Sequence, residues 1–266
     1  NYLNKRKFAA YWANTSSNSL IGKLIREGSA NTKVIMEDLL SGKTFHTEID
    51  EQIAFNQLDY DENAVWSLLL ASGYLRLINC YTDEEWGIKK YELAITNKEV
   101  RLTFRQLITG WFSKFTPAYN DFIKALLADD RKAMNTYMNR VAFTTFSYFD
   151  TGNRPSGSEP ERFYHGFVLG LMVELADRYV ITSNRESGFG RYDVMLKPRK
   201  KEDDGIILEF KVYDPDDEES LEDTVKAALK QIEDKNYKSV LMAEGIGEER
   251  IREYGFGFEG KKVLIG

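Results

Sequence analysis

Apolar residues recur at helical spacing through much of the first 150 residues and gather into short, strand-like runs beyond residue 178. Segments 19–27 and 32–40 read as short helices, the second closed by a turn at Ser41 and Gly42. Across 61–72, Val65, Trp66, Leu69 and Leu70 mark one helical face, which Gly73 ends. The runs YLRLINCY and KKYELAIT predict two strands around the charged turn TDEEWGIK. Helix, strand, turn and strand is the outline of a winged helix. Its helix carries no cluster of Lys or Arg, so a DNA-reading role and a structural or partner-docking role both stay open. Two further helices are expected over 100–115 and 119–139, with Trp111, Phe112 and Phe122 in the core.

The stretch TGNRPSGSEP, 151–160, has the Pro, Gly and small polar content of a linker. It sets an expected boundary between domains at 1–150 and 151–266. Ser158 followed by Glu161 is a capping-box pattern, predicting a helix from about Glu159 with Phe163, Phe167, Val168 and Leu171 as its apolar stripe. A strand over 178–182, two strands in GRYDVML and GIILEFKVYD, a helix over 221–236 and a strand over 239–243 follow. The closing REYGFGFEGKKVLIG reads as a hairpin that extends the sheet. This αβββαβ order predicts an α/β fold, α+β overall, in which a mixed sheet with one crossover helix is preceded by a mainly helical, winged-helix-like region.

A content of 42% hydrophobic and 29% charged residues is ordinary for a globular protein. No run approaches 18 apolar residues and the start NYLNKRKF lacks a signal-peptide core, so no membrane association and a cytoplasmic setting are expected. One cysteine, Cys80, and two histidines exclude an internal disulfide and a Cys- or His-rich metal centre. The triplet GKT at 42–44 is no phosphate loop, because Glu37 stands where that motif needs glycine. From Thr151 onward 24 Asp+Glu face 18 Lys+Arg, a balance that argues against unaided tight nucleic-acid binding, though local basic patches can coexist with it. The acidic run DPDDEES, 214–220, reads as a solvated loop.

Chemistry concentrates in the two central strands. Glu209 and Lys211 are two apart in ILEFKV, so on a strand both side chains point to one face. With KPRKKEDDG as a hairpin loop centred near Lys201, Asp193 falls opposite Glu209 at a Cβ separation of about 5 Å. Two carboxylates so placed can share a divalent cation, and a Lys beside them can orient a water or stabilise charge on a phosphate under attack. Ile206, Ile207, Leu208, Phe210 and Val212 make the run apolar enough for a buried strand, where charged groups are costly unless paired or bound to metal. Metal-dependent phosphodiester hydrolysis is the expected chemistry.

In order, ERFYHGFVLGLM, SNRESGFGRYDVMLKP, IILEFKV, ALKQIEDKNY and YGFGFEGKKVLI resemble the PD-(D/E)XK nuclease superfamily. More narrowly, they resemble the nuclease-like module at the C-terminus of a family of predicted bacterial AAA-type ATPases. Upstream, YWANTSSNSLI, AVWSLLLASGYL and LAITNKEV resemble the end of the ATPase-like region that precedes that module, so the chain resembles the C-terminal portion of a longer protein. The resemblance implies a restriction-endonuclease-like fold, Mg²⁺ or Mn²⁺ as cofactor, and Asp193, Glu209 and Lys211 as the catalytic set. Asp193, Glu209 and the backbone carbonyl of Phe210 would be metal ligands, an oxygen set suited to those ions. Glu161 and His165, at i, i+4, lie on the helix from which the superfamily often adds a site residue. Glu161 also serves as the capping-box acid, and His165 also fits a core or helix-face position. Gln231 and Tyr237 match a Gln-plus-Tyr element that contacts the site or the nucleic acid, spaced by six rather than the more familiar four. In ESGFGRYD, Ser187, Gly188 and Gly190 allow close backbone approach and Arg191 is placed to hold a phosphate, or the stretch is a flexible turn entering a strand.

Two functions follow as expectations. One is a metal-dependent nuclease acting on DNA beside the ATPase portion of its parent. The other is a non-catalytic, nuclease-like docking or regulatory module attached to an AAA-type ATPase. The acidic balance favours the module. The joint presence of Asp193, Glu209 and Lys211 favours the enzyme, since docking has little need of all three.

Overall fold

The computed structural model describes residues 16–50, 52, 57–58, 61–111, 116–149, 159–185 and 192–266; the side chains of 16, 17, 116, 144–149, 159–162, 164, 184, 185, 192 and 193 lie outside that description. The chain divides into two compact units, Asn1–Trp111 and Phe112–Gly266.

The first unit contains helices α1 (Ser16–Glu27), α2 (Ala30–Ser41), α3 (Glu62–Ala71) and α4 (Lys98–Trp111) and strands β1 (Phe45–Thr47), β2 (Leu75–Thr82) and β3 (Lys89–Ile95). Local chemistry sets these bounds. The Ser29 side chain caps α2 by accepting from the Thr32 amide, and Gly42 ends it at φ 92°, the turn expected at Ser41 and Gly42. The strands form an antiparallel sheet in the order β1-β3-β2. Ile21, Ile25, Met36, Leu39, Trp66, Leu69, Phe104 and Ile108 are buried, as amphipathic spacing requires.

The second unit comprises α5 (Thr116–Leu127), α6 (Arg131–Phe149), α7 (Glu159–Glu174), β4 (Tyr179–Arg185), β5 (Tyr192–Pro198), β6 (Gly205–Val212), α8 (Leu221–Asp234), α9 (Lys238–Ala243), β7 (Ile251–Glu259) and β8 (Lys262–Ile265). The five strands form one sheet in the order β4-β5-β6-β7-β8. Only β6 and β7 pair in parallel, joined by the crossover through α8, so the sheet is mixed as expected. On one face Phe210, Phe256 and Phe258 pack against Phe163 and Phe167 of α7 and Phe122 of α5, at ring centroid separations of 6.2–6.5 Å. The other face is covered by α8. Gly255 and Gly257 let that helix approach: a Cβ at Gly255 would stand 2.7 Å from the Val225 carbonyl oxygen.

The two compact units part between Trp111 and Phe112, and within the second unit α6 docks on the edge strand. Asn135 and Asn139, one helical turn apart, each donate to and accept from the backbone of β8, at Ile265 and Val263, over 2.7–2.9 Å. These four bonds occupy donors and acceptors that an edge strand otherwise presents to another chain. Two expectations are corrected. The helix expected over 119–139 breaks into α5 and α6. Asp129 adopts φ 56° and accepts from the Tyr254 hydroxyl at 2.7 Å, while the Asp130 carboxylate caps α6 at the Ala133 amide. The second is that 239–243 is not a strand. It lies in α9, where Leu241 joins Ile207, Ile232 and Ile251 in a buried cluster, and the parallel partner of β6 is β7 instead. An apolar run this short has no periodicity to separate helix from strand.

Candidate active site

The loop between β5 and β6 brings the two strands into antiparallel register with Asp193 opposite Glu209, the pairing that the hairpin reading requires. Glu209 is fully buried and Lys211 is half-buried. Alternation puts Glu209 and Lys211 on the face opposite Phe210, beneath α8. That face changes character along β6. At Ile207 it is apolar, within the cluster of Ile232, Leu241 and Ile251. From Glu209 to Lys211 it is charged and opens into a cleft of about 350 Å³ lined by Lys211, Ala227, Lys230, Gln231, Asp234 and Lys235.

Gln231 is 9% exposed, and its Nε2 finds no hydrogen-bond acceptor among the described residues. A buried amide donor left this way costs stability unless something at the cleft receives it. Lys230 is held by Asp234 at 2.6 Å, which raises its ammonium above the ordinary lysine range and keeps it charged. Three Lys and one Asp line the cleft, beside the buried Glu209. Lys230 and Lys235 were not singled out from sequence. The available signal was the spacing Ala227, Gln231 and Lys235 at successive i, i+4 steps, which lines one side of α8.

The other candidates are distributed differently. His165 is buried on α7, the helix over the aromatic face, so it lies across the sheet from Glu209. Glu161 lies in the first turn of α7, but its side chain is outside the described residues, as is that of Asp193. Arg191, Ser187, Gly188, Gly190 and the capping residue Ser158 are outside them entirely. Tyr237 stands beyond the end of α8, at the start of α9, and packs on the Ile207 cluster with Lys235 5.9 Å from its ring centroid. Trp111 and Phe122 are core residues as expected, and Phe112 is not described.

Among the described residues, which do not include the side chains of Asp193 and Glu161, no three Asp, Glu, His or Cys side chains cluster as a metal site. The backbone arrangement nonetheless fits a hard divalent cation. Asp193 and Glu209 are cross-strand partners, and the Phe210 ring is committed to the opposite face, leaving its carbonyl as the group it can offer.

A family described as PD-(D/E)XK nuclease superfamily matches residues 159–266. Residues 159–266 are a PD-(D/E)XK nuclease superfamily domain. The nuclease-superfamily match begins with α7 and ends with β8, so it takes in the whole five-stranded sheet and leaves out α5 and α6, which complete the same compact unit. No curated protein and no solved structure matches the chain. Nuclease-superfamily domains generally use divalent metal ions, in keeping with the carboxylate positions on β5 and β6.

Proposed function

We propose that the C-terminal domain is a Mg²⁺- or Mn²⁺-dependent nuclease that hydrolyses phosphodiester bonds in DNA. The observation that carries this reading is the register of Asp193 with Glu209, two residues before Lys211 on the face that opens into the lysine-lined cleft. Asp193, Glu209 and the Phe210 carbonyl hold the cation, with Glu161 as a further ligand from α7. A divalent ion bound there supplies Lewis-acid polarisation of the scissile phosphate. Lys211 orients the attacking water and stabilises the negative charge that develops on the phosphate oxygens. Gln231 donates through Nε2 to a phosphate oxygen, and Lys230 and Lys235 neutralise the flanking backbone. Arg191 and Tyr237 are assigned to substrate contacts at the margins of the site, whereas His165, buried across the sheet from Glu209, is left out of it. The burial of Glu209 supports the reading, since a carboxylate in a dry sheet interior is stabilised by a cation.

The proposal extends to an AAA-type ATPase portion as the domain's partner in a longer bacterial protein, to a winged-helix-like role for the first unit, and to a cytoplasmic setting. No helix among the described residues is long and apolar enough to cross a membrane.

Cleavage of plasmid, linear duplex and single-stranded DNA, each with Mg²⁺, Mn²⁺ or chelator, tests the reading. Wild-type protein should cut only with metal. Lys211→Ala should lose about 10²–10³-fold in rate, and Glu209→Ala should lose activity together with calorimetric Mn²⁺ binding. Full activity in either variant overturns the assignment. Absence of both cutting and Mn²⁺ binding in the wild type favours the docking module.

A further inference from the structure

Away from the cleft, α6 and the turn between β7 and β8 enclose a second hollow, of about 520 Å³, lined by Asn139, Arg140, Phe143, Lys261 and Lys262. Phe143 is 70% exposed, although it lies on a helix whose other face is buried. A lone exposed apolar side chain is ordinary. This one is flanked by three cations, with the Lys261 ammonium 5.8 Å from its ring centroid. The arrangement is built rather than incidental. Asn139 clamps α6 to Val263 on both its donor and acceptor sides, and Gly260, at φ 55°, makes the tight turn that projects Lys261 and Lys262 towards the helix. Lys262 pairs with Glu259 at 3.5 Å, an exposed pair of little net worth.

We propose that this hollow is a binding platform for single-stranded nucleic acid, with one base stacked on Phe143 and adjacent phosphates held by Arg140, Lys261 and Lys262. Two observations select this occupant. An open aromatic face bordered by cations matches an unstacked base with its phosphates, whereas bases within a duplex present no free face to it. The register also places the platform well: Lys211 is level with Gly257, and Gly257 with Leu264, so β8 starts at the same end of the sheet as Lys211, two strands away. Two inter-strand spacings make about 10 Å, within reach of a few nucleotides of one strand. The platform's part in feeding a strand to the cleft rests on the nuclease reading, whereas its capacity to bind does not.

The test is fluorescence anisotropy on the full chain, with chelator present to prevent cleavage. The probes are labelled single-stranded DNA of about 15 nucleotides, the same sequence as RNA, and its blunt duplex. Both single strands, or one of them, should bind more tightly than the duplex, and the DNA and RNA arms identify which is preferred. Phe143→Ala should weaken single-strand binding roughly 5- to 100-fold, and Phe143→Trp should restore it. Replacing Lys261 and Lys262 together by Ala should reduce the slope of log affinity against log salt by about 1.4. Unchanged binding by Phe143→Ala, or equal binding of duplex, overturns the proposal. A shift from dimer to monomer in Phe143→Ala by sedimentation, without loss of strand binding, overturns it in favour of a contact between copies. Strand binding is read with chelator present and without cleavage, so failure of the nuclease reading is separable from failure of the platform.

Discussion

On one face of β6 and β7, Leu208, Phe210, Tyr254, Phe256 and Phe258 are buried against the helices α5 and α7; on the other, Ile207, Glu209, Lys211, Gly255 and Gly257 lie beneath α8. The same eight or nine residues of backbone therefore carry two different surfaces. Each aromatic ring removes about 150–250 Å² from water, which makes the first face the main source of stability. The second face combines glycines, which let α8 approach, with a fully buried glutamate, whose desolvation as a charge costs several kcal/mol. A strand anchored so firmly on one side can tolerate an unfavourable residue on the other. That is the physical sense in which a sheet supports a site.

The largest expected effect breaks the comparison at adjacent residues. Phe210→Ala should destabilise the domain by about 3–5 kcal/mol in urea unfolding. Glu209→Gln, its neighbour, should leave stability unchanged or raise it while abolishing metal-dependent cleavage. Equal destabilisation by the two changes would mean that Glu209 is structural. A smaller effect is expected at Gly255, where an added Cβ meets the Val225 carbonyl oxygen at 2.7 Å and Ala228 Cβ at 3.1 Å. Gly255→Ala should cost about 1–3 kcal/mol and shift α8, lowering cleavage through the displaced Gln231. Retention of both stability and rate would show that α8 approaches the sheet with room to spare.

The smallest effect sharpens the contrast between the two ends of β6. In the loop before it, Arg178 donates to Asp203 and holds that carboxyl below the usual carboxylate range. A depressed folded-state pKa contributes stability above the unfolded value near 3.9, and that contribution is lost as pH falls through the folded value. Asp203→Asn should therefore be slightly less stable than wild type at pH 7, by under about 1 kcal/mol given the half-exposed arginine. The difference should close below about pH 4 in thermal melts. A gap that persists at low pH would trace to packing rather than charge.

Much of the candidate site was legible because its signals are local. Glu209 and Lys211 share a face through a period of two, and a charged loop between two apolar runs aligns Asp193 with Glu209. Gln231 was reachable only through the resemblance, as half of a Gln-plus-Tyr element on the crossover helix. Lys230 and Lys235 were not, since solvent-facing lysines on an amphipathic helix become a cleft wall only when a particular strand residue lies beside them. His165 shows the converse: it shares a helix with Glu161, yet that helix covers the face away from Glu209.

Sequence by itself determined the αβββα run through the crossover helix, the closing hairpin and the turns at Gly42 and Gly73, because periodicity, capping and positive φ depend on residues within a few positions of one another. Tertiary structure alone decided the rest. It ended the helix at Asp129 through Tyr254, turned 239–243 into a helix around Leu241, and joined α6 to the sheet through two asparagines more than a hundred residues from their partners. Each of these outcomes depends on a hydrogen bond or apolar contact between distant segments, whose free energy exceeds local preference only once the chain has brought those segments together.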